Sequence, residues 1–269
     1  MDELRVAINL ITNNDYEKAL DILTPLAKDK NPSALFYLGA LHCIGLGVLV
    51  NEKEAEKLRL SAIRIFKEQA ETGNKEAISK LGRILADGEQ LDGTNFLEEL
   101  KWLKLASTNG CREASFMLGN IYNTGNKIND ADDSNVFPIV NKKEAFKWFK
   151  ISAEQGMGFS MINVASFLRL GSGVKQNNRE AFKWYNIALL SYKRMVNYRY
   201  ADVWEYEVIP ESNKHIREIK NTLKSTEIFE IVKLANEYVR QKTEEGIFDY
   251  SNKDDLEEFL DFMNKQDLN

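Results

Sequence analysis

The chain is poor in the residues that most often carry chemistry. Among 269 residues there are 2 Cys, 2 His and 4 Pro. Cys43 and Cys111 stand in unlike contexts, which argues against a disulfide framework and fits a reducing compartment. His42 and His215 have no second His nearby and no Cys-x-x-Cys, so a zinc site lacks its ligands. The longest uncharged stretch, YLGALHCIGLGVLV at 37–50, is shorter than the roughly 20 apolar residues of a membrane span and holds three Gly and a His. No membrane segment is expected. The opening MDELRVAINL places acids where a secretory signal carries basic residues, and the expectation is a mature, cytoplasmic chain.

Basic excess is also missing. Net charge is −5, and residues 201–269 hold 17 acidic side chains against 9 basic ones. A nucleic-acid binder is expected to show a basic face, so no nucleic-acid partner is expected on charge grounds. What remains is 43% hydrophobic and 29% charged, the composition of an ordered, mostly helical chain.

The chain repeats itself. EAFKW occurs at 144–148 and again at 180–184. Ala145, Trp148, Phe149, Ser152 and Ala153 fall on one stripe of a helix, as do Ala181, Trp184, Tyr185, Ala188 and Leu189, with Glu144, Lys147 and Lys150 off the stripe and toward water. LEELKWLKLASTNG at 97–110 and, more faintly, EAEKLRLSAI at 54–63 are further copies. Each is preceded by another recurring helix, at 34–48, 77–88, 114–125 and 160–174. These share a small residue (Gly39, Gly82, Gly119, Ala165) that admits a close neighbour, and a closing glycine (Gly45, Gly88, Gly125, Gly171) suited to a left-handed helix end.

The pattern Ala-x3-Leu-Gly-x2-Tyr-x2-Gly-x-Gly-Val, followed by Lys-Ala-x2-Trp-Tyr, resembles the Sel1-like repeat, a relative of the tetratricopeptide repeat; residues 160–189 match it best. Small-position spacings of 43, 37 and 46 record insertions, including NKINDADDSNVFPIV at 126–140. The resemblance implies an all-α, right-handed α-solenoid of Sel1-like helix pairs with N- and C-terminal capping helices. The expected organisation is a capping pair at 1–33, repeats at 34–76, 77–113, 114–159 and 160–191, and a helical cap over 192–269. Asp15 is the expected N-cap of the helix at 13–32. Ser225 or Thr226 is expected to cap a helix at 223–241 whose inward stripe is Ile228, Ile231, Leu234, Ala235 and Tyr238, with a short helix at 254–265 on top.

Catalytic and cofactor patterns are weak. Gly45-x-Gly47 and Gly171-x-Gly173 follow no strand, and the repeat's own turn explains them. DADDSN at 130–135 lacks the Gly and Glu of a calcium loop. The carboxylate pairs Glu98-Glu99 and Glu257-Glu258 fall on expected solvent faces. The expectation is therefore no enzyme, no cofactor and no metal. SYKRMVNYRYADVWEY at 191–206 reads either as an aromatic seam to the C-terminal cap or as a stacking surface for single-stranded nucleic acid.

If the tetratricopeptide relation carries over, the first helix of each pair lines a concave groove. Positions three before, one after and four after the small residue then point inward: Phe36, Ala40 and Cys43; Ser79, Arg83 and Ala86; Phe116, Asn120 and Asn123; Ile162, Ser166 and Arg169. Repeat proteins hold other polypeptides on such surfaces. In the loop at 126–140, Asp132, Asp133, Val136 and Phe137 either contact the partner or fold back on the convex surface. The expected function is a monomeric, non-enzymatic scaffold that binds a protein. The resemblance implies adaptor roles and, in bacteria, immunity proteins that neutralise a cognate toxin.

Overall fold

A computed structural model describes residues 3–86, 96–125, 140–192 and 208–247. These form twelve α-helices and no strand. They fall into two compact units, Met1–Asn109 and Gly110–Asn269.

In the first unit, α1 (Glu3–Thr12), α2 (Tyr16–Lys28), α3 (Pro32–Ile44), α4 (Glu52–Glu71), α5 (Lys75–Ala86) and α6 (Phe96–Thr108) follow one another, and each of α1 to α5 packs on the next in sequence. In the second, α7 (Arg112–Thr124), α8 (Lys142–Glu154), α9 (Gly158–Leu170) and α10 (Asn178–Tyr192) do the same, and α10 also packs on α11 (Ile209–Lys220) and α12 (Ser225–Glu244). The expected helix pairs are all present, and α4 is longer than its counterparts, as the late Gly73 indicates.

The small positions do what their size suggests. Gly39 and Gly119 are buried, and a Cβ on Gly39 would lie 3.0 Å from the Ala55 carbonyl of α4. A Cβ on Gly119 would run into the Phe149 ring of α8. Gly45, Gly125 and Gly171 end α3, α7 and α9 with φ of 79°, 76° and 69°. The second glycine of each Gly-x-Gly has its own role: Gly47 lies against Tyr16 of α2, and Gly173 against the Lys142 backbone of α8, where no side chain fits. These two turns thus pack α3–α4 on α2 and α9–α10 on α8.

A cap that the sequence analysis overlooked unites the repeats. Asn51, Asn141 and Asn177 stand immediately before or at the start of the second helix, and each side chain accepts the amide of a glutamate three residues on: Glu54, Glu144 and Glu180, at 3.1, 3.1 and 3.0 Å. Each asparagine also donates its own amide to the first helix, to the carbonyls of His42, Tyr122 and Leu168, at 2.9, 2.8 and 2.9 Å. One residue type therefore starts the second helix and ties it to the first. Asn31 and Asn74 cap α3 and α5 in the same way.

Three expectations at the ends need correction. Asp15 precedes α2 but accepts no cap bond; its carboxylate pairs with Lys18. Neither Ser225 nor Thr226 caps α12: Lys224 is the N-cap, and the Glu227 carboxylate accepts its amide at 3.0 Å. The buried stripe of α12 is Ile231, Ala235 and Val239, while Leu234 is exposed, because α12 meets α10 about one position further round than a simple apolar count suggests. The turn at 87–95, with Gly88, all of the aromatic stretch 191–206 beyond Tyr192, and the short helix expected at 254–265 lie outside the described residues.

Candidate functional site

Each first helix buries one stripe and leaves another open. In α3, Ala34, Leu35, Leu38 and Leu41 are buried; in α5, Ala77, Ile78, Leu81, Ile84 and Leu85. The twelve residues expected to line a groove fall between these stripes, and none of them is buried. They form two sets, one in each unit.

In the first unit, Phe36, Ala40 and Cys43 of α3 and Ser79, Arg83 and Ala86 of α5 are half-buried or exposed. Phe36 and Arg83 meet at a cavity of about 80 Å³ that is also lined by Ser33, Tyr37, Phe66, Lys80 and Ile84. Three helices build it. Phe66 of α4 and Ile84 of α5 supply buried apolar wall, and Phe36 sets an edge-to-face contact with Tyr37 at 6.4 Å between centroids. Lys80 and Arg83 bring two cations from one face of α5, separated by a single turn. Burial, and then the charge of Arg83, pulls the Lys80 ammonium below its ordinary value, against the opposing effect of Glu76. Tyr37 and Lys80, which complete the cavity, were not among the expected residues; their place one residue after Phe36 and three before Arg83 is the signal that could have found them.

In the second unit, Phe116 is half-buried, with the Phe149 and Phe159 rings 6.0 and 6.3 Å away, so it acts partly as core. The Lys142 ammonium donates to both the carbonyl and the side-chain oxygen of Asn123, each at 2.7 Å, and Asn120 accepts from Thr124 through its carbonyl. Ile162 packs against the core edge, and Ser166 is half-buried. Arg169 is held within the chain: its guanidinium lies 3.4 Å from His215 Nε2 and 3.9 Å from the Glu218 carboxylate, both on α11. The Glu218 carboxyl is held below its usual range, chiefly by its bond with His215 at 3.2 Å. Burial pushes the Tyr185 phenol up, against the pull of Arg169.

The chemistry of the remaining candidates is structural. His42 is a half-buried helix residue. Glu98 pairs with Lys67 at 3.0 Å, but Glu99 is buried at 3% exposure, which corrects its expected place on a solvent face. Lys150 also departs from its expected place in water: its ammonium sits 4.1 Å above the Trp184 ring. Among the described residues no group of three or more His, Cys, Asp or Glu is placed to hold a metal ion, and no helix is long and apolar enough to cross a membrane. Asp132, Asp133, Val136 and Phe137 lie outside the described residues, as do 130–135 and Glu257-Glu258.

Comparison with known proteins agrees with the repeat pattern. Residues 32–63, 112–157 and 158–190 match the Sel1 repeat. No curated protein matches the chain. Among solved structures, it is similar to a protective antigen of uropathogenic Escherichia coli that displays an SLR fold, at 21% identity and a TM-score of 0.58, over 88% of this chain and 45% of that one. The chain thus spans less than half the length of that antigen. A Sel1 repeat protein from Oxalobacter formigenes is similar at 24% identity and a TM-score of 0.47, over 82% of this chain and 86% of that one. An immunity protein from Pseudomonas aeruginosa is similar at 14% identity and a TM-score of 0.39, over 83% and 73%.

Proposed function

We propose, taking as premise that this chain carries Sel1 repeats, that it is a non-enzymatic scaffold which holds a protein partner on the open faces of its first helices. The observation that supports this reading is the meeting of Phe36 and Arg83 at one cavity in the first unit. An aromatic anchor beside an arginine, set in a partly desolvated recess, is the combination that dominates affinity at protein interfaces. The exposed Ala40 and Cys43 extend the face beyond the recess and leave room for a backbone to pass. In the second unit, Asn120 and the edge of Phe116 are accessible, whereas Arg169 is already engaged by α11. The first unit is therefore the stronger recognition surface.

The test is capture of partners by the tagged full chain, identification by mass spectrometry, and titration of the purified partner against Ala40→Arg and Arg83→Glu. Both positions are exposed, so the fold should persist, as circular dichroism would check. Loss of about tenfold or more in affinity for either variant supports the reading. Undiminished affinity in both variants removes it.

A further inference from the structure

The recess in the first unit is chemically one-sided. Its lining holds no carboxylate: beside Ser33, its polar side chains are those of Tyr37, Lys80 and Arg83, which carry a hydroxyl, an ammonium and a guanidinium. Among the described residues none of the three takes part in a hydrogen bond or salt bridge. Several other cations among the described residues are paired, as in Lys57 with Glu54, Arg59 with Glu56, Lys147 with Glu144 and Arg179 with Glu230. Two cations gathered beside a half-desolvated cavity whose lining holds no carboxylate is an unfavourable arrangement that Glu76, one turn back on α5, offsets in part and that an incoming anion relieves. Burial, and then the charge of Arg83, lowers the Lys80 ammonium, while Glu76 works against both.

We infer that this recess takes a carboxylate borne on a polypeptide, the side chain of a Glu or Asp in an extended acidic-apolar segment, with Lys80 and Arg83 as its ion-pair partners and Tyr37 as a donor. The apolar wall decides between a peptide and a free ion: Phe36, Phe66 and Ile84 flank the donors, so the carboxylate that fits best carries hydrophobic neighbours. The volume of about 80 Å³ admits one carboxylate and part of its stem. The open α3 face with Ala40 and Cys43 gives the rest of the segment a surface to run along. This assignment rests on the proposed scaffold function and specifies the chemistry of its partner.

The experiment uses the full chain and an octapeptide of alternating leucine and glutamate, fluorescein-labelled, with its leucine-glutamine counterpart and free glutamate as comparators. Fluorescence anisotropy at low ionic strength reads binding, and NMR of the lysine side chains reads the Lys80 titration midpoint. The glutamate peptide is expected to bind about tenfold or more tightly than the glutamine peptide. It should raise the Lys80 midpoint and lose its advantage in Lys80→Met with Arg83→Gln, while Lys101→Gln leaves it intact. Tyr37→Phe, a minimal change, should weaken binding a few-fold even if the double variant folds poorly. Equal binding of the two peptides, no binding of either, or an unmoved Lys80 midpoint overturns the assignment. Free glutamate binding as tightly as the peptide overturns the polypeptide as ligand and leaves a small-anion site. A natural partner that responds to Ala40→Arg but not to the charge variants sinks this inference alone, whereas one indifferent to all of them sinks the scaffold reading beneath it.

Discussion

The amide of Asn141 donates to the carbonyl of Tyr122 at 2.8 Å, although residues 125–141 separate α7 from α8, a far longer connection than 45–51 or 171–177. The same bond joins Asn51 to His42 and Asn177 to Leu168 in repeats with shorter connections. The repeat therefore keeps its clamp whatever the loop between its helices does. Asn141→Ala removes the side-chain cap on Glu144 and should cost about 1 kcal/mol, measured by urea unfolding. Asn141→Asp, which preserves the acceptor, should recover most of that loss.

Gly119 of α7 faces the Phe149 ring of α8 with no room for a Cβ between them. Gly119→Ala should destabilise by about 1–3 kcal/mol, the usual cost of overpacking. In the Phe149→Leu background the alanine should cost less, because the ring that it meets is gone. Additive losses in that double-mutant cycle would show that the helices are spaced by other contacts.

The Lys150 ammonium over the Trp184 ring joins α8 to α10, the two helices that carry the repeated EAFKW. Lys150→Met keeps the stem but removes the charge, and should lower stability by about 0.5–1 kcal/mol. Trp184 fluorescence should shift at the same time, as the charge above the indole disappears.

Tyr238 sits with its ring 5.6 Å from Trp184, and burial, then the charges of Glu154 and Glu245, pushes its phenol up to about 12. Since the folded value is raised above that of the unfolded chain, the neutral phenol stabilises the fold below the ordinary tyrosine range, and the contribution is lost as pH rises through 10 toward about 12. Absorbance titration at alkaline pH should show one late phase that Tyr238→Phe removes, together with part of the alkaline loss of stability.

Glu218 behaves in the opposite sense. Its carboxyl is depressed by His215, with a smaller effect from Arg169, so its contribution is present above the usual glutamate value and lost as pH falls through the lower folded value. Glu218→Gln should flatten the acid limb of the stability profile. If the profile keeps its slope, the α9–α11 contact owes nothing to this carboxylate.

The helix pairs, the small positions and the closing glycines were legible in the sequence because each follows from spacing within one repeat. Trp102, Trp148 and Trp184 are buried, at 7%, 9% and 2% exposure, as their shared register implies. The asparagine clamps are equally local, with Asn-x-x-Glu at 51–54, 141–144 and 177–180 and the same letters at 95–98, but asparagine lies outside the apolar pattern. The contacts of Arg169, Lys150 and Val239 have no such local signal. Their partners come from different repeats or from α11 and α12, whose register against the repeats has no counterpart in the repeated letters. Likewise, the recess behind Phe36 and Arg83 depends on Phe66, which belongs to the intervening helix.

Helix α10 is enclosed more fully than its amphipathic stripe suggests: Phe182, Ile187 and Leu190 are buried alongside Trp184, Tyr185 and Ala188, because α9, α11 and α12 all lie against it. Its amides should be the slowest in the second unit to exchange with heavy water, since no neighbour can peel away and expose it alone. Substitutions there have nowhere to be absorbed, so this is the stretch where a library of variants should tolerate least, even though none of its residues is among those proposed for recognition.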